Sequence, residues 1–257
     1  MGGALLKGWL ARGLSPLAVV EPKPSPALRK LCRQKGVRLA ADLKDIPSTG
    51  ISACVVAIKP QILRIEASQL TAIAASGALM VSIAAGTSIA TMRKAWGAKA
   101  RIIRTMPNTP GAIGKGISAL YAAKGATAKD RALTQSLLAA LGDTIWVKHE
   151  ALIDVTTAVS GSGPAYVFLM VEALAAAAEA EGMPQKEAAK LARATISGAG
   201  ALLEADPRPA AELRKDVTSP GGTTEAALAI LMAKDGLSSL MAQAVKAANK
   251  RAKQLSS

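Results

Sequence analysis

The fold is decided by residues 53–104, ACVVAIKPQILRIEASQLTAIAASGALMVSIAAGTSIATMRKAWGAKARIIR. Three short apolar runs with Val or Ile at their centres, Ala53–Ile58, Leu79–Ile83 and Ala100–Arg104, are separated by two stretches of helical character, Ile62–Ser76 and Ser88–Trp96. Strands alternating with helices at this spacing predict a parallel sheet covered on both faces. The pattern extends to either side. A strand at Leu17–Val20 lies between helices at Ala4–Arg12 and Ser25–Lys35, and a strand pair, Ile117–Tyr121 and Thr144–Val147, flanks a helix from Lys129 to Leu141. Gly13, Gly36, Gly77 and Gly97 follow helices, where a left-handed cap residue is expected.

After about residue 150 the period changes. Pro164 suits the first turn of a helix, with Ser162 or Gly163 as its cap, and that helix is expected to run to Glu181. A second helix continues from Pro184 to about Ala205, and Asp206-Pro-Arg-Pro209 breaks the chain. Further helices are expected at Ala210–Lys215, Thr224–Lys234 and Leu237–Lys253. The expected organisation is therefore α/β over residues 1–150 and all-α over residues 151–257.

Composition narrows the function classes. Half of the 257 residues are hydrophobic, which excludes disorder as the main state. Two cysteines and one histidine supply neither a disulfide framework nor a multi-histidine metal centre, so a reduced, cytoplasmic, metal-free protein is expected. Residues 67–92 carry no charge, but Gly77 and Gly86 divide them and Ser and Thr dilute them; they read as helix, strand and helix, with no membrane span. The net charge of +14 lies wholly in the first part: residues 1–150 carry 21 Lys and Arg against 7 Asp and Glu, and residues 151–257 carry 11 of each. A nucleotide, a nucleic acid or plain solubility would each account for it. Only six aromatic residues offer stacking platforms, which argues against nucleic acid as a partner.

Candidate binding residues gather at the ends of the expected strands. Met1-Gly2-Gly3 leads directly into a helix, so only the tail of a Gly-x-Gly-x-x-Gly dinucleotide loop is present, with Gly2 or Gly3 at the helix start. Glu21 lies 19 residues after Gly2, where an acidic group meets adenosine ribose hydroxyls. Lys59, in Ala57-Ile-Lys-Pro-Gln61, is placed for a phosphate or ribose, or is a surface lysine before a helix. Ala84-Ala85-Gly86 lets a flat ring approach the backbone, and Asn108, in Arg104-Thr-Met-Pro-Asn-Thr-Pro110, offers a donor and an acceptor on a rigid loop. The stretch Asp216-Val-Thr-Ser-Pro-Gly-Gly-Thr-Thr-Glu225 holds more hydroxyls and glycines than an ordinary helix start needs, and its backbone N–H groups suit a carboxylate.

Ala57–Gln61, Arg104–Gly111, Val159–Tyr166 and Asp216–Leu228, in this order and spacing, resemble the signature stretches of the pyrroline-5-carboxylate reductase family. The resemblance covers essentially the whole chain, and Asp216–Leu228 is its most specific part. It implies a Rossmann-like dinucleotide-binding domain over residues 1–150 and an all-helical substrate-binding and dimerisation domain over residues 151–257. It further implies reduction of 1-pyrroline-5-carboxylate to L-proline with NADPH or NADH, the last step of proline biosynthesis, by a cytoplasmic homodimer or higher oligomer that needs no metal, nucleic acid or membrane. Carried across, Ala57, Ile58, Lys59, Pro60, Ile83, Ala84 and Ala85 line the nicotinamide side, Asn108 lies near the nicotinamide, and Gly2 and Glu21 complete the cofactor set. Gly221, Gly222 and Thr223 hold the substrate, and Thr224, the catalytic candidate, hydrogen-bonds the ring nitrogen. The chain departs from the family at its start: the first strand and the first glycines of the dinucleotide loop are absent. The expectation is a natural chain that begins upstream and a weakly active or inactive protein as written. Two other readings stay open: a hydroxy-acid dehydrogenase using Lys186 or Lys190 as its acid, and a non-catalytic helical dimer.

Overall fold

The computed structural model describes residues 1–256. The order is α1 (Gly2–Ala11), β1 (Ala18–Val20), α2 (Pro26–Lys35), β2 (Arg38–Ala40), β3 (Ala53–Val56), α3 (Pro60–Glu66), α4 (Thr71–Ala75), β4 (Leu79–Ser82), α5 (Ile89–Trp96), β5 (Ile102–Met106), β6 (Gly116–Ala122), α6 (Ala128–Leu138) and β7 (Gly142–Trp146). Helices follow: α7 (Ala151–Thr156), α8 (Gly163–Ala180), α9 (Gln185–Ala205), α10 (Ala210–Asp216), α11 (Thr223–Leu231) and α12 (Leu237–Ser256).

The strands form two sheets. β1 and β2 pair in parallel, and β3 to β7 form a second sheet in sequence order. The expected parallel pairing holds for β3, β4 and β5, but β6 pairs antiparallel with β5. Residues 107–115 are too few for the crossover of about a dozen residues that a parallel return requires, so the chain turns back. β7 then follows α6 and pairs parallel to β6. The expectation also passed over β2, three residues with one charged member.

Alternation along the central strands divides the core. Met80 and Ile102 face Leu63, Leu70, Met92 and Trp96 from α3, α5 and the turn between α3 and α4. Leu79, Val81 and Ile103 face Leu5 of α1 and Leu137 and Leu138 at the end of α6. A third cluster holds Leu6, Cys32 and Val37, with Val19 and Leu39 of the small sheet packed against it. Neighbouring residues of α1, Leu5 and Leu6, thus belong to different clusters, and α1 braces both sheets.

The single helix expected over Ile62–Ser76 is broken into α3, a 3-10 turn at Ala67–Leu70, and α4. The indole of Trp96 donates to the Ala67 carbonyl at 2.9 Å, and Thr71 Oγ1 donates to the Ala95 carbonyl at 2.8 Å. Both bonds tie this stretch to α5 and favour the tightened turn over a straight helix. The helix expected from Pro164 begins at Gly163, and Ser162 gives it no side-chain cap. Before it, α7 leads into a π-helical turn at Thr157–Gly161. Such turns insert an extra residue per bond and recur at functional sites.

The compact units divide elsewhere than at residue 150. One comprises Met1–Gly161 together with the residues from Ala248 onward; the other is Ser162–Ala247. The reason is local: α7 buries Ile153 and Asp154, and Asp154 pairs with Arg104 of β5. In the helical unit α8 and α9 lie along each other, and Ala188 and Ala192, four apart on one face of α9, are buried.

Candidate functional site

In the sheet unit, the expected cofactor residues follow the carboxyl ends of β3, β4 and β5. Lys59 occupies the cap position of α3 and Pro60 its first turn, where the missing N–H costs nothing. Ala57, Ile58 and Lys59 are exposed. At the end of β4 the Ile83 N–H donates to the Val56 carbonyl at 3.2 Å, and the Ala84 N–H donates to Ser82 Oγ at 3.3 Å. At the end of β5 Thr105 Oγ1 donates to the Ser82 carbonyl at 3.2 Å. Asn108 Oδ1 accepts the Ile117 N–H at 3.0 Å, which fixes the loop to β6.

Gly2 opens α1, and Met1 gives that helix no side-chain cap. A Cβ on Gly2 would stand 3.2 Å from Ala57 Cβ, so the helix start lies against the end of β3. Uncapped N–H groups beside exposed small residues fit the pyrophosphate of a dinucleotide. Gly2 and Ala57 thus meet at the carboxyl end of β3, and Ile83, Ala84 and Ala85 follow the carboxyl end of the adjacent β4. Glu21 follows β1 in the separate small sheet; its N–H donates to the Ala40 carbonyl, and its carboxylate accepts the Lys23 N–H at 3.1 Å. Burial pushes the Cys54 thiol up to about 11 and raises that of Cys32, which favours the thiol form of both.

The helical unit carries the second set. Gly221 has a φ of +71°, a left-handed turn that a side chain rarely adopts. A Cβ on Gly222 would collide with Ser219 Oγ. The Gly221 N–H donates to Glu225 Oε2 at 2.6 Å, and the Gly222 N–H donates to the Ser219 carbonyl at 3.0 Å. Both glycine amides therefore shape the loop, and their role is positional. The N–H groups of Thr223 and Thr224, in the first turn of α11, have no partner inside the helix and could serve a ligand. Gly222, in the cap position, brings no side chain to cover them.

Two residues carry roles that the sequence does not announce, and a third, Gly86, makes a contact that it does not announce. Glu225 clamps the loop, and its signal was a carboxylate four positions after a glycine. Arg104 is buried, with two carboxylates on its guanidinium. Gly86, at φ +61°, lies beneath Leu255. No local pattern announces a contact between residues so far apart in the chain.

Residues 150–255 match the family described as pyrroline-5-carboxylate reductase dimerisation. The pyrroline-5-carboxylate reductase of Pasteurella multocida is 35% identical over 260 residues, covering 99% of this chain and 94% of that protein. The structure of a pyrroline-5-carboxylate reductase from Coxiella burnetii superposes with a TM-score of 0.91 at 33% identity, covering 100% of this chain and 95% of that one. That of Plasmodium falciparum pyrroline carboxylate reductase, with NADP bound, gives 0.81 at 26% identity, with coverage of 100% and 95%. Fold, order of motifs and identity along the full length agree: this chain belongs to the pyrroline-5-carboxylate reductase family.

Proposed function

We infer that this protein reduces 1-pyrroline-5-carboxylate to L-proline with NADPH or NADH, the closing step of proline biosynthesis, as a cytoplasmic homo-oligomer. The observation that carries the reading is the preformed loop Ser219–Thr224. It is held by its own hydrogen bonds and leaves an uncapped helix start flanked by two threonine hydroxyls. A carboxylate on the Thr223 and Thr224 amides gains both hydrogen bonds and the favourable end of the helix dipole. The Thr224 hydroxyl then reaches the ring nitrogen of a substrate held by that carboxylate.

The dinucleotide, when bound, supplies the hydride. As hydride reaches the C=N carbon the C=N π pair moves onto nitrogen, and nitrogen takes from water the proton that makes it a secondary amine. Thr224 serves the nitrogen as a hydrogen-bond donor while its basicity rises. Ala57–Pro60, Ile83–Ala85 and Asn108 hold the nicotinamide side, Gly2 the pyrophosphate and Glu21 the adenosine ribose. Most of the acceleration comes from orientation. Oligomerisation uses α8: a window of 18 residues within 151–180 is apolar enough to cross a membrane by length and composition, yet none of it, and no residue of α8, is buried within the chain. A second copy covers such a face as well as lipid would.

Thr224→Val tests the site. The expected result is a fall of about 100-fold in kcat with the dinucleotide KM unchanged, the scale of a lost proton-handling group. Lys190→Met should leave turnover intact. The opposite pattern would favour a hydroxy-acid dehydrogenase.

A further inference from the structure

Arg104 sits near the end of β5 with 1% of its surface exposed. Its Nη1 donates to Glu150 Oε1 at 3.0 Å, and its Nη2 donates to Asp154 Oδ1 at 2.9 Å and to Ser256 Oγ at 3.3 Å. Ser256 Oγ in turn lies 3.0 Å from the same Asp154 oxygen. Glu150 Oε1 has a second donor, the Ile89 N–H in the first turn of α5, at 2.8 Å. One guanidinium therefore fixes four segments: β5, α7 with the residue before it, the start of α5, and the last turn of α12.

Each of these segments adjoins a strand-end loop. Ile89 stands three residues after Gly86, which ends the Ala84-Ala85-Gly86 turn. Ser256 follows Leu255, and a Cβ on Gly86 would lie 2.9 Å from Leu255 Cβ and 3.0 Å from its carbonyl oxygen. The last turn of α12 is thus seated directly on the Gly86 backbone, which is itself buried. Arg104 opens the stretch that leads through Thr105 and Met106 to Asn108. Met106 Cε lies 2.8 Å from where a Cβ on Gly161 would be, so the π turn also closes on this loop. A buried charge with this many partners is costly to assemble, and an apolar residue would serve a merely packed position.

We propose that Arg104 is a positioning residue for the cofactor loop: through Glu150, Asp154 and Ser256 it holds the start of α5 and the end of α12 so that Leu255 closes over Gly86 and the Ile83–Gly86 turn keeps its shape. The assignment of that turn to the dinucleotide rests on the reductase reading. The contacts that fix it do not. Arg104 acts through other residues and touches neither substrate nor cofactor.

The full-length protein is compared with Ser256→Ala and Arg104→Lys, measuring KM and kcat with each dinucleotide, the melting temperature, and amide exchange over residues 83–91 and 118–122. Ser256→Ala removes one partner from the surface side, so folding survives even if Arg104→Lys fails to fold. The expected result is a dinucleotide KM raised about fivefold, the effect of one net hydrogen bond, with kcat altered less than about twofold. Exchange should quicken over 83–91 and stay unchanged over 118–122, and Arg104→Lys should enlarge both effects. Unchanged KM with unchanged exchange over 83–91 overturns the proposal. So does exchange that rises equally in both segments with a lowered melting temperature, which would make Arg104 an ordinary structural pin. Should the unmutated protein fail to turn over 1-pyrroline-5-carboxylate, the reductase reading falls, and the exchange comparison alone decides the positioning role.

Discussion

Glu21, proposed to meet the adenosine ribose, is expected to set the dinucleotide preference. Its carboxylate accepts the Lys23 N–H in the loop after β1, the position where an acidic group is expected to meet a ribose hydroxyl. A 2′-phosphate brought there meets like charge, while Lys23 and Arg29 pull the other way; the carboxylate is nearest the strand end and should win. NADH is therefore expected to be the better substrate, and Glu21→Ser should shift the ratio of kcat/KM towards NADPH by about an order of magnitude, or about 1.4 kcal/mol. A ratio unmoved by the substitution would show that Glu21 does not touch the ribose. The placement of such residues was legible in the sequence: Glu21 follows a strand, and Thr223 and Thr224 open a helix. The glycines beside them were read as donors, and the structure spends both amides inside the loop, a matter of local hydrogen bonding that composition does not reveal. Arg104 was hidden for another reason: its partners lie 46, 50 and 152 positions away.

Among the elements, α6 shows how its first turn is stabilised. Thr127 and Asp130 form a reciprocal capping box, and Arg101 donates to Asp130 Oδ1 at 2.6 Å. Burial pushes the Asp130 carboxyl up, but the Thr127 amide and hydroxyl and then Arg101 outweigh it, and the net shift is downward. A carboxylate held below its unfolded value of about 3.9 adds stability above that pH and loses it as the pH falls through the folded value. Asp130→Asn should therefore lower the melting temperature at pH 7, and its difference from the unmutated protein should narrow in acid. A gap that stays constant down to the acid transition would contradict this. Thr127→Ala should cost about 1 kcal/mol at neutral pH, as lost caps do. Most elements were predictable from apolar runs and their spacing. β2 was too short to leave a pattern, and the reversal of β6 follows from the length of the loop before it. The break between α3 and α4 depends on Trp96 reaching across from another helix, which no window of sequence contains.

At the scale of the molecule, α8 presents Phe168 and Leu169 at 62% and 63% exposure, beside Val167, Met170 and Leu174. An apolar surface of that kind marks an interface. Phe168→Glu should convert an oligomer to a smaller species in sedimentation, since burying one such ring stabilises by about 1.5–3 kcal/mol per copy; an unchanged mass would place the interface elsewhere. The change from alternating strands to helices was legible to within about ten residues, while the return of the last turn of α12 to the sheet unit was not, because Leu255 and Ser256 find their partners only after folding. The small sheet and the large sheet share no strand pairing among the described residues, and α1 alone among the elements places core residues in both clusters. Dinucleotide affinity is expected to be low for that reason, since the strand ends that hold it are braced by one helix. The most direct test of the whole account is oxidation of NADH or NADPH on addition of 1-pyrroline-5-carboxylate, at saturating dinucleotide and with proline identified as product. Stoichiometric proline, a high KM for the dinucleotide, and a loss of turnover of about 100-fold in Thr224→Val are expected. Absence of proline at saturating levels of both reactants, with a 2-hydroxy acid turned over instead, would contradict it.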